Sequence, residues 1–278
     1  MLNETIKTKD GSIEYSSYGS GLHILFIHGG HVNSHFTLPH KGFDLNKFQL
    51  ITPSRPGYGN TPLNDDNKTP AQTTKLIISL LDHLKINKVI VYGISAGGWT
   101  ALELAAQFPE RISKLILGSA VVKDWLDKKG KTYLGAKIIF NPGIEWIIWG
   151  LVKLFGTLSP YLIAKIFLPE FSTVKYVILP KNEAKELMWH LKTFRSKKGF
   201  INDIDQKIDT EILKKIKCPV LIIHSKNDNS VSIEHAEFAH NQIINSKIII
   251  LDNLWGHMIW IGKDYELIQK DIFNFINE

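Results

Sequence analysis

Short apolar runs bounded by turn residues alternate along this chain with stretches whose apolar positions recur every three or four residues. The first pattern predicts strands and the second helices, and their alternation predicts a mostly parallel sheet covered on both faces. Candidate strands occupy residues 11–18, 23–28, 48–52, 89–93, 115–119, 220–224 and 247–251. A helix is expected over 69–84, opened by Thr69 as N-cap and Pro70 at the first helical position. Further helices follow Ser95 and Ile233, and a last one covers 264–276.

The alternation stops between residues 122 and 209, where the periodicity is helical and aromatics such as Trp125, Phe140, Trp149, Phe194 and Trp189 are frequent. This predicts a core in two parts, 1–121 and 210–278, with 122–209 as a helical insertion over the C-terminal edge of the sheet. Most of its aromatics are expected to pack within the insertion, and a minority to line an apolar pocket.

Charge sharpens that picture. The net charge is +6, and residues 123–200 carry fourteen Lys/Arg against six Asp/Glu. The lysines are scattered and no nucleic-acid motif accompanies them, so a solvated basic face is the leading expectation and nucleic-acid binding is not. Membrane contact through the apolar stretch Glu145–Leu158 is the lesser alternative. Residues 1–10 lack a secretory apolar region, no apolar run reaches the roughly 20 residues of a membrane span, and one cysteine, Cys218, excludes an internal disulfide. A cytoplasmic setting is expected; the oligomeric state is left open.

The chemistry gathers around Gly93-Ile94-Ser95-Ala96-Gly97, between an apolar β-branched run and a helical one. A strand turning sharply into a helix there presents Ser95 at the tip of the turn, with glycines where a Cβ would strike the neighbouring elements. A serine hydroxyl needs an imidazole to accept its proton, and that imidazole needs a carboxylate. His257 lies in a loop between the last strand and last helix, and Asp228 in the loop one strand–helix unit earlier. Asp252 and Asp124 are the rival acids. For an oxyanion, the expected backbone donors are Ala96 and, in His28-Gly29-Gly30-His31, Gly30, with His31 next. His224 reads as a strand end, and His235 and His240 as helix surface.

The order Ser95, Asp228, His257, with His28-Gly29-Gly30 upstream, resembles the α/β-hydrolase fold superfamily, and Ser54-Arg55-Pro56-Gly57-Tyr58-Gly59 is similar to its arginine–glycine loop. The resemblance implies a doubly wound, mostly parallel eight-stranded sheet with helices on both faces and a helical cap. Pro53 and Ser54 stand where many members have an aspartate, so the partner of Arg55 is left open. Serine at the elbow, where haloalkane dehalogenases and epoxide hydrolases carry aspartate, implies acyl transfer to water, with an ester, lipid ester, thioester or amide as the bond cleaved.

The expected activity is therefore hydrolysis of a small-molecule ester with an apolar acyl group, without a cofactor. Carbon–carbon bond hydrolysis, with Arg195 as the candidate anion partner, and a low-turnover ligand-binding or sensor protein are the alternatives. His31, His35 and His40 have the spacing of metal ligands only on a helix, which Gly29-Gly30 and Pro39 oppose, so no metal site is expected. Cys218 reads as an inert buried thiol.

Overall fold

A computed structural model describes residues 2–175 and 177–278. Strands β1 (Leu2–Thr8), β2 (Gly11–Gly19), β3 (Leu22–Ile27), β4 (Phe48–Pro53), β5 (Val89–Ile94), β6 (Ile112–Gly118), β7 (Val220–Ser225) and β8 (Ser246–Leu251) form one eight-stranded sheet in the order β1-β2-β4-β3-β5-β6-β7-β8. The pairs β1–β2 and β2–β4 are antiparallel, and every other pair is parallel.

Parallel strands buried on both faces read as continuous apolar runs, and side chains alternate between the faces. In β3 and β5, Ile24, Phe26, Ile90 and Tyr92 enter one core cluster, while Leu25, Ile27, Val89 and Val91 enter the other. The first face is covered by α9 (Asp264–Asn277) through Ile268, Ile272 and Phe275. The second is covered by α1 (Pro70–His83), α2 (Gly98–Gln107) and α8 (Glu234–Gln242). All of β5 is buried, and each of its large aliphatic side chains contributes about 2 kcal/mol of burial free energy.

Helix α1 starts as its sequence predicts: Thr69 accepts from the Gln72 amide while the Gln72 side chain accepts from the Thr69 amide, a full capping box ahead of Pro70. Strand β1 adds to the seven strands that the sequence pattern predicts. Its seven residues pair with β2 from Leu2↔Ser17 to Thr8↔Gly11 at the sheet edge. An edge strand with Glu, Thr and Lys around a single Ile6 gives too weak an alternation to stand out.

Between β6 and β7 the chain forms α3 (Lys131–Ile139), α4 (Glu145–Leu158), α5 (Pro160–Phe171), α6 (Lys181–Leu191) and α7 (Gly199–Ile204) and, among the described residues, no strand of the sheet. This helical insertion shares the first core cluster through Trp149, Leu187, Leu191 and Phe194. Because β3, β5, β7 and β8 are parallel, the loops that follow them leave the same rim of the sheet. That rim collects residues far apart in sequence.

Candidate active site

At the end of β5 the chain enters a short 3-10 turn, Ser95–Gly97, before α2. Ser95 has φ +49, a left-handed backbone that costs a non-glycine residue of order 1 kcal/mol and persists only where its surroundings impose it. A Cβ on Gly97 would stand 2.3 Å from the Ile27 carbonyl oxygen, and one on Gly93 would stand 2.5 Å from the Ala101 methyl. Strand and helix thus crowd both sides of the turn, as its sequence predicts.

Three distant side chains meet there. His257 Nε2 lies 3.0 Å from Ser95 Oγ, and His257 Nδ1 lies 2.8 Å from Asp228 Oδ2. The second carboxylate oxygen, Oδ1, accepts the Ser230 and Val231 amides at 2.9 and 2.8 Å. Burial opposes the charge of Asp228, yet the facing His257 and His224 imidazoles outweigh it and hold the carboxyl at about 2. An ionised carboxylate on Nδ1 places the ring proton there and leaves Nε2 free to accept from the serine.

His224 does more than end a strand. Its Nε2 sits 2.8 Å from the Val231 carbonyl and 3.2 Å from Asp228 Oδ2, so it faces two acceptors and carries the proton. The strand periodicity that buried this ring carried no sign of its partner. His235 was expected on a helix surface; it is instead buried, with Nδ1 accepting the Val122 amide. His240 is exposed beside Ser246.

The rival acids lie elsewhere. Asp252 is exposed, pairing with Lys226 at 2.9 Å and accepting from Asn227. Asp124 borders a cleft of about 510 Å³ beside Trp99, walled by Trp125, Leu126 and Ile204.

The insertion holds both loops. Carbonyls at the C-terminal end of α5, which no intrahelical amide can satisfy, accept from them: Phe171 O takes the His257 amide at 2.8 Å and the Asn229 amide at 3.1 Å. Glu170 O accepts the Ser230 hydroxyl at 2.6 Å. From α6, Glu183 accepts the Trp255 indole N–H at 2.7 Å, two residues before His257.

The loop after β3 closes over the serine: a Cβ on Gly29 would stand 2.8 Å from Ser95 Cβ, and one on Gly30 2.8 Å from the Phe200 ring. Ala96, the residue after Ser95, is buried at the start of the turn. Arg55 grips this loop, donating from Nε to His28 O at 2.8 Å and from Nη2 to Gly29 O at 3.0 Å. Its partner, open from the sequence, is Asp203 of α7, bound by two 2.7 Å bonds and joined by the Tyr58 hydroxyl at 2.6 Å. Burial works against the Arg55 charge, and the Asp203 carboxylate raises its pKa despite it. Ser54, where a resembling aspartate would stand, donates instead to Glu14 at 2.6 Å.

The three histidines weighed as metal ligands diverge. His31 Nδ1 meets Ser196 Oγ at 2.6 Å inside a ring of Phe140, Trp149, Phe194 and Phe200, whereas His40 bonds Tyr18 and Thr52. Among the described residues no group of three or more His, Cys, Asp or Glu is arranged to hold a metal ion. Cys218 is buried, and burial pushes its thiol up to about 11.

Residues 23–135 match the family model of the α/β-hydrolase fold. An uncharacterized hydrolase of Bacillus subtilis strain 168, YcgS, is 38% identical over 272 residues, covering 94% of this chain and 93% of that one. The chain belongs to the α/β-hydrolase fold family. Among solved structures, an α/β-hydrolase fold protein from Nakamurella multipartita matches with TM-score 0.78 at 23% identity, over 98% of this chain and 97% of that one. The esterase EaEST from Exiguobacterium antarcticum matches with TM-score 0.71 at 21% identity, over the whole of both chains. This α/β-hydrolase is a hydrolase by class, with the helical insertion between its sixth and seventh strands.

Proposed function

We propose that the protein is a serine hydrolase that cleaves a small or medium carboxylic ester with an apolar acyl group, through a Ser95–His257–Asp228 triad. The observation that carries this reading is the unbroken chain of contacts from Ser95 Oγ to His257 at 3.0 Å and on to Asp228 at 2.8 Å. Ser95 Oγ attacks the ester carbonyl carbon as His257 Nε2 takes its proton, and the backbone amides of Ala96 and Gly30 stabilise the oxyanion. The tetrahedral intermediate collapses, His257 returns the proton to the leaving alcohol, and an acyl-Ser95 ester remains. Water, deprotonated by His257, attacks that acyl group; collapse releases the acid and restores the hydroxyl. Asp228 stays ionised and stabilises the imidazolium.

Residues 122–209 act as the cap in this reading, and the setting is cytoplasmic. Ser95 and His257 are only 9% and 8% exposed, so the reacting groups are largely screened from bulk water. The Phe200 ring of α7, 2.8 Å from where a Cβ on Gly30 would stand, brings an apolar group of the cap beside the oxyanion loop and supports an apolar acyl group. Arg195, the candidate partner of an anionic carbon–carbon substrate, pairs with Glu145 at 3.0 Å, which favours the ester reading.

The test combines a fluorophosphonate probe with p-nitrophenyl esters of increasing acyl length. Wild type is expected to be labelled and to hydrolyse the esters; Ser95→Ala should do neither. Labelling that persists in Ser95→Ala removes Ser95 from this role. Tight ligand binding with turnover no greater than that of Ser95→Ala makes the protein a binder instead.

A further inference from the structure

Helix α4 is apolar around nearly its whole circumference, although only one stripe of it is covered. Glu145, Trp149, Val152 and Gly156 form the buried stripe. On the other side Trp146, Ile147, Leu151, Leu154, Phe155 and Leu158 are 42–74% exposed. The neighbouring α5 repeats the arrangement, burying Ile163, Ala164 and Leu168 and leaving Leu162 and Ile166 more than half exposed. Among the described residues, fourteen of the nineteen exposed large apolar side chains fall between Leu134 and Trp189. A helix hydrophobic all round belongs in a core or at an apolar partner, and such a concentration marks an interaction surface.

Charge selects the partner. Lys153 and Lys165 lie exposed on these helices and form no ion pair among the described residues. The whole segment 123–200 carries fourteen Lys/Arg against six Asp/Glu. Two such faces stacked together would bring like charges into a desolvated contact, whereas an anionic bilayer accepts both the apolar rows and the lysines. No helix among the described residues is long and apolar enough to cross a membrane, and a 14-residue helix of about 21 Å suits the plane of the interface.

We propose that the exposed α4–α5 face docks on an anionic lipid bilayer, with its leucines and aromatics among the acyl chains and Lys153 and Lys165 at the lipid phosphates. The proposal concerns where the protein sits and holds whatever bond Ser95 cleaves.

The full chain is tested by co-flotation with vesicles of phosphatidylcholine, with and without phosphatidylglycerol. Binding is expected with phosphatidylglycerol and should weaken as salt shortens the screening length. Leu154→Glu combined with Leu158→Glu should reduce binding at least tenfold, because two apolar contacts are lost and two anions added. Lys153→Ala and Lys165→Ala should each reduce it about fivefold. Circular dichroism and fluorophosphonate labelling, which report the fold and the Ser95 site apart from lipid, should be unchanged in these variants. Failure of the wild type to float with anionic vesicles at low salt overturns the proposal. So does a concentration-dependent dimer that Leu154→Glu dissolves, since a second copy would then cover the face.

Discussion

His224 Nε2 stands 3.2 Å from Asp228 Oδ2, the same oxygen that meets His257 Nδ1 at 2.8 Å. One carboxylate oxygen is thus shared between two imidazoles, while the other is held by two backbone amides. The two amides anchor Oδ1 and keep Oδ2 turned toward His257, while the His224 N–H, whose hydrogen bond goes to the Val231 carbonyl, stands beside the same oxygen.

His224→Leu removes one of those donors and leaves the backbone pair. A hydrogen bond to a charged group contributes about 1.5–3 kcal/mol, so kcat for ester hydrolysis should fall roughly tenfold or more with KM nearly unchanged. His224→Gln, which keeps an N–H donor, should recover much of the loss. Steady-state kinetics of the pair decide it: a lowered melting temperature with intact kcat would mean that His224 only supports the fold.

The acid assignment has a sharper test. Asp228→Asn should lower kcat by about 10³–10⁴ with folding preserved, because the imidazole loses its charge partner and its preferred tautomer. Asp252→Asn, at an exposed site paired with Lys226, should change kcat by no more than about twofold. Asp124→Asn, beside the Trp99 cleft, should behave the same way. A large effect at either rival would move the acid.

Arg55 and Asp203 are both buried and doubly bonded. Asp203→Asn leaves the guanidinium buried without a charge partner and should destabilise the protein by about 3–5 kcal/mol. Arg55→Met with Asp203→Leu should cost clearly less than the sum of the two single changes, read from urea unfolding midpoints. Additive single effects would refute the coupling. The single variants should also slow ester hydrolysis, since Arg55 holds the His28 and Gly29 carbonyls beside Ser95.

Stability should decline in mild acid because of buried imidazoles. Burial holds His40 at about 3, against an ordinary value of 6.5. Between those values the unfolded chain binds a proton that the native state excludes, so the contribution is complete above pH 6.5 and is lost as pH falls toward 3. From pH 7 to pH 5 this single group removes about 2 kcal/mol. His40→Gln should shrink the difference between the urea unfolding free energies at those two pH values by about that amount. An unchanged difference would show that the ring is charged in the native state.

Much of the site is legible in the linear sequence because a parallel sheet constrains it. Strands 89–94 and 220–225 are buried at every position and open on the apolar runs Val89–Tyr92 and Val220–Ile223, as strands covered on both faces do, and their loops emerge at one rim. Order along the chain therefore predicts neighbourhood in space for Ser95, Asp228 and His257. The elbow is legible for a local reason: its glycines and its small residues meet steric demands set within a few positions.

Other features were decided only by tertiary packing. Asp203 finds Arg55 across 148 residues of sequence, because the insertion folds back onto the core and no periodicity encodes where its last helix lands. His224 and His235 sit at positions that pattern alone reads as strand end and helix surface, and only packed neighbours turn them into a carboxylate donor and a backbone acceptor. Strand β1 escaped notice because an edge strand half-exposed to water has little apolar alternation to display. Covalent order and side-chain type specify which groups can react; the close packing of distant segments decides which of them touch, since contact energies between remote residues leave no trace in the local pattern.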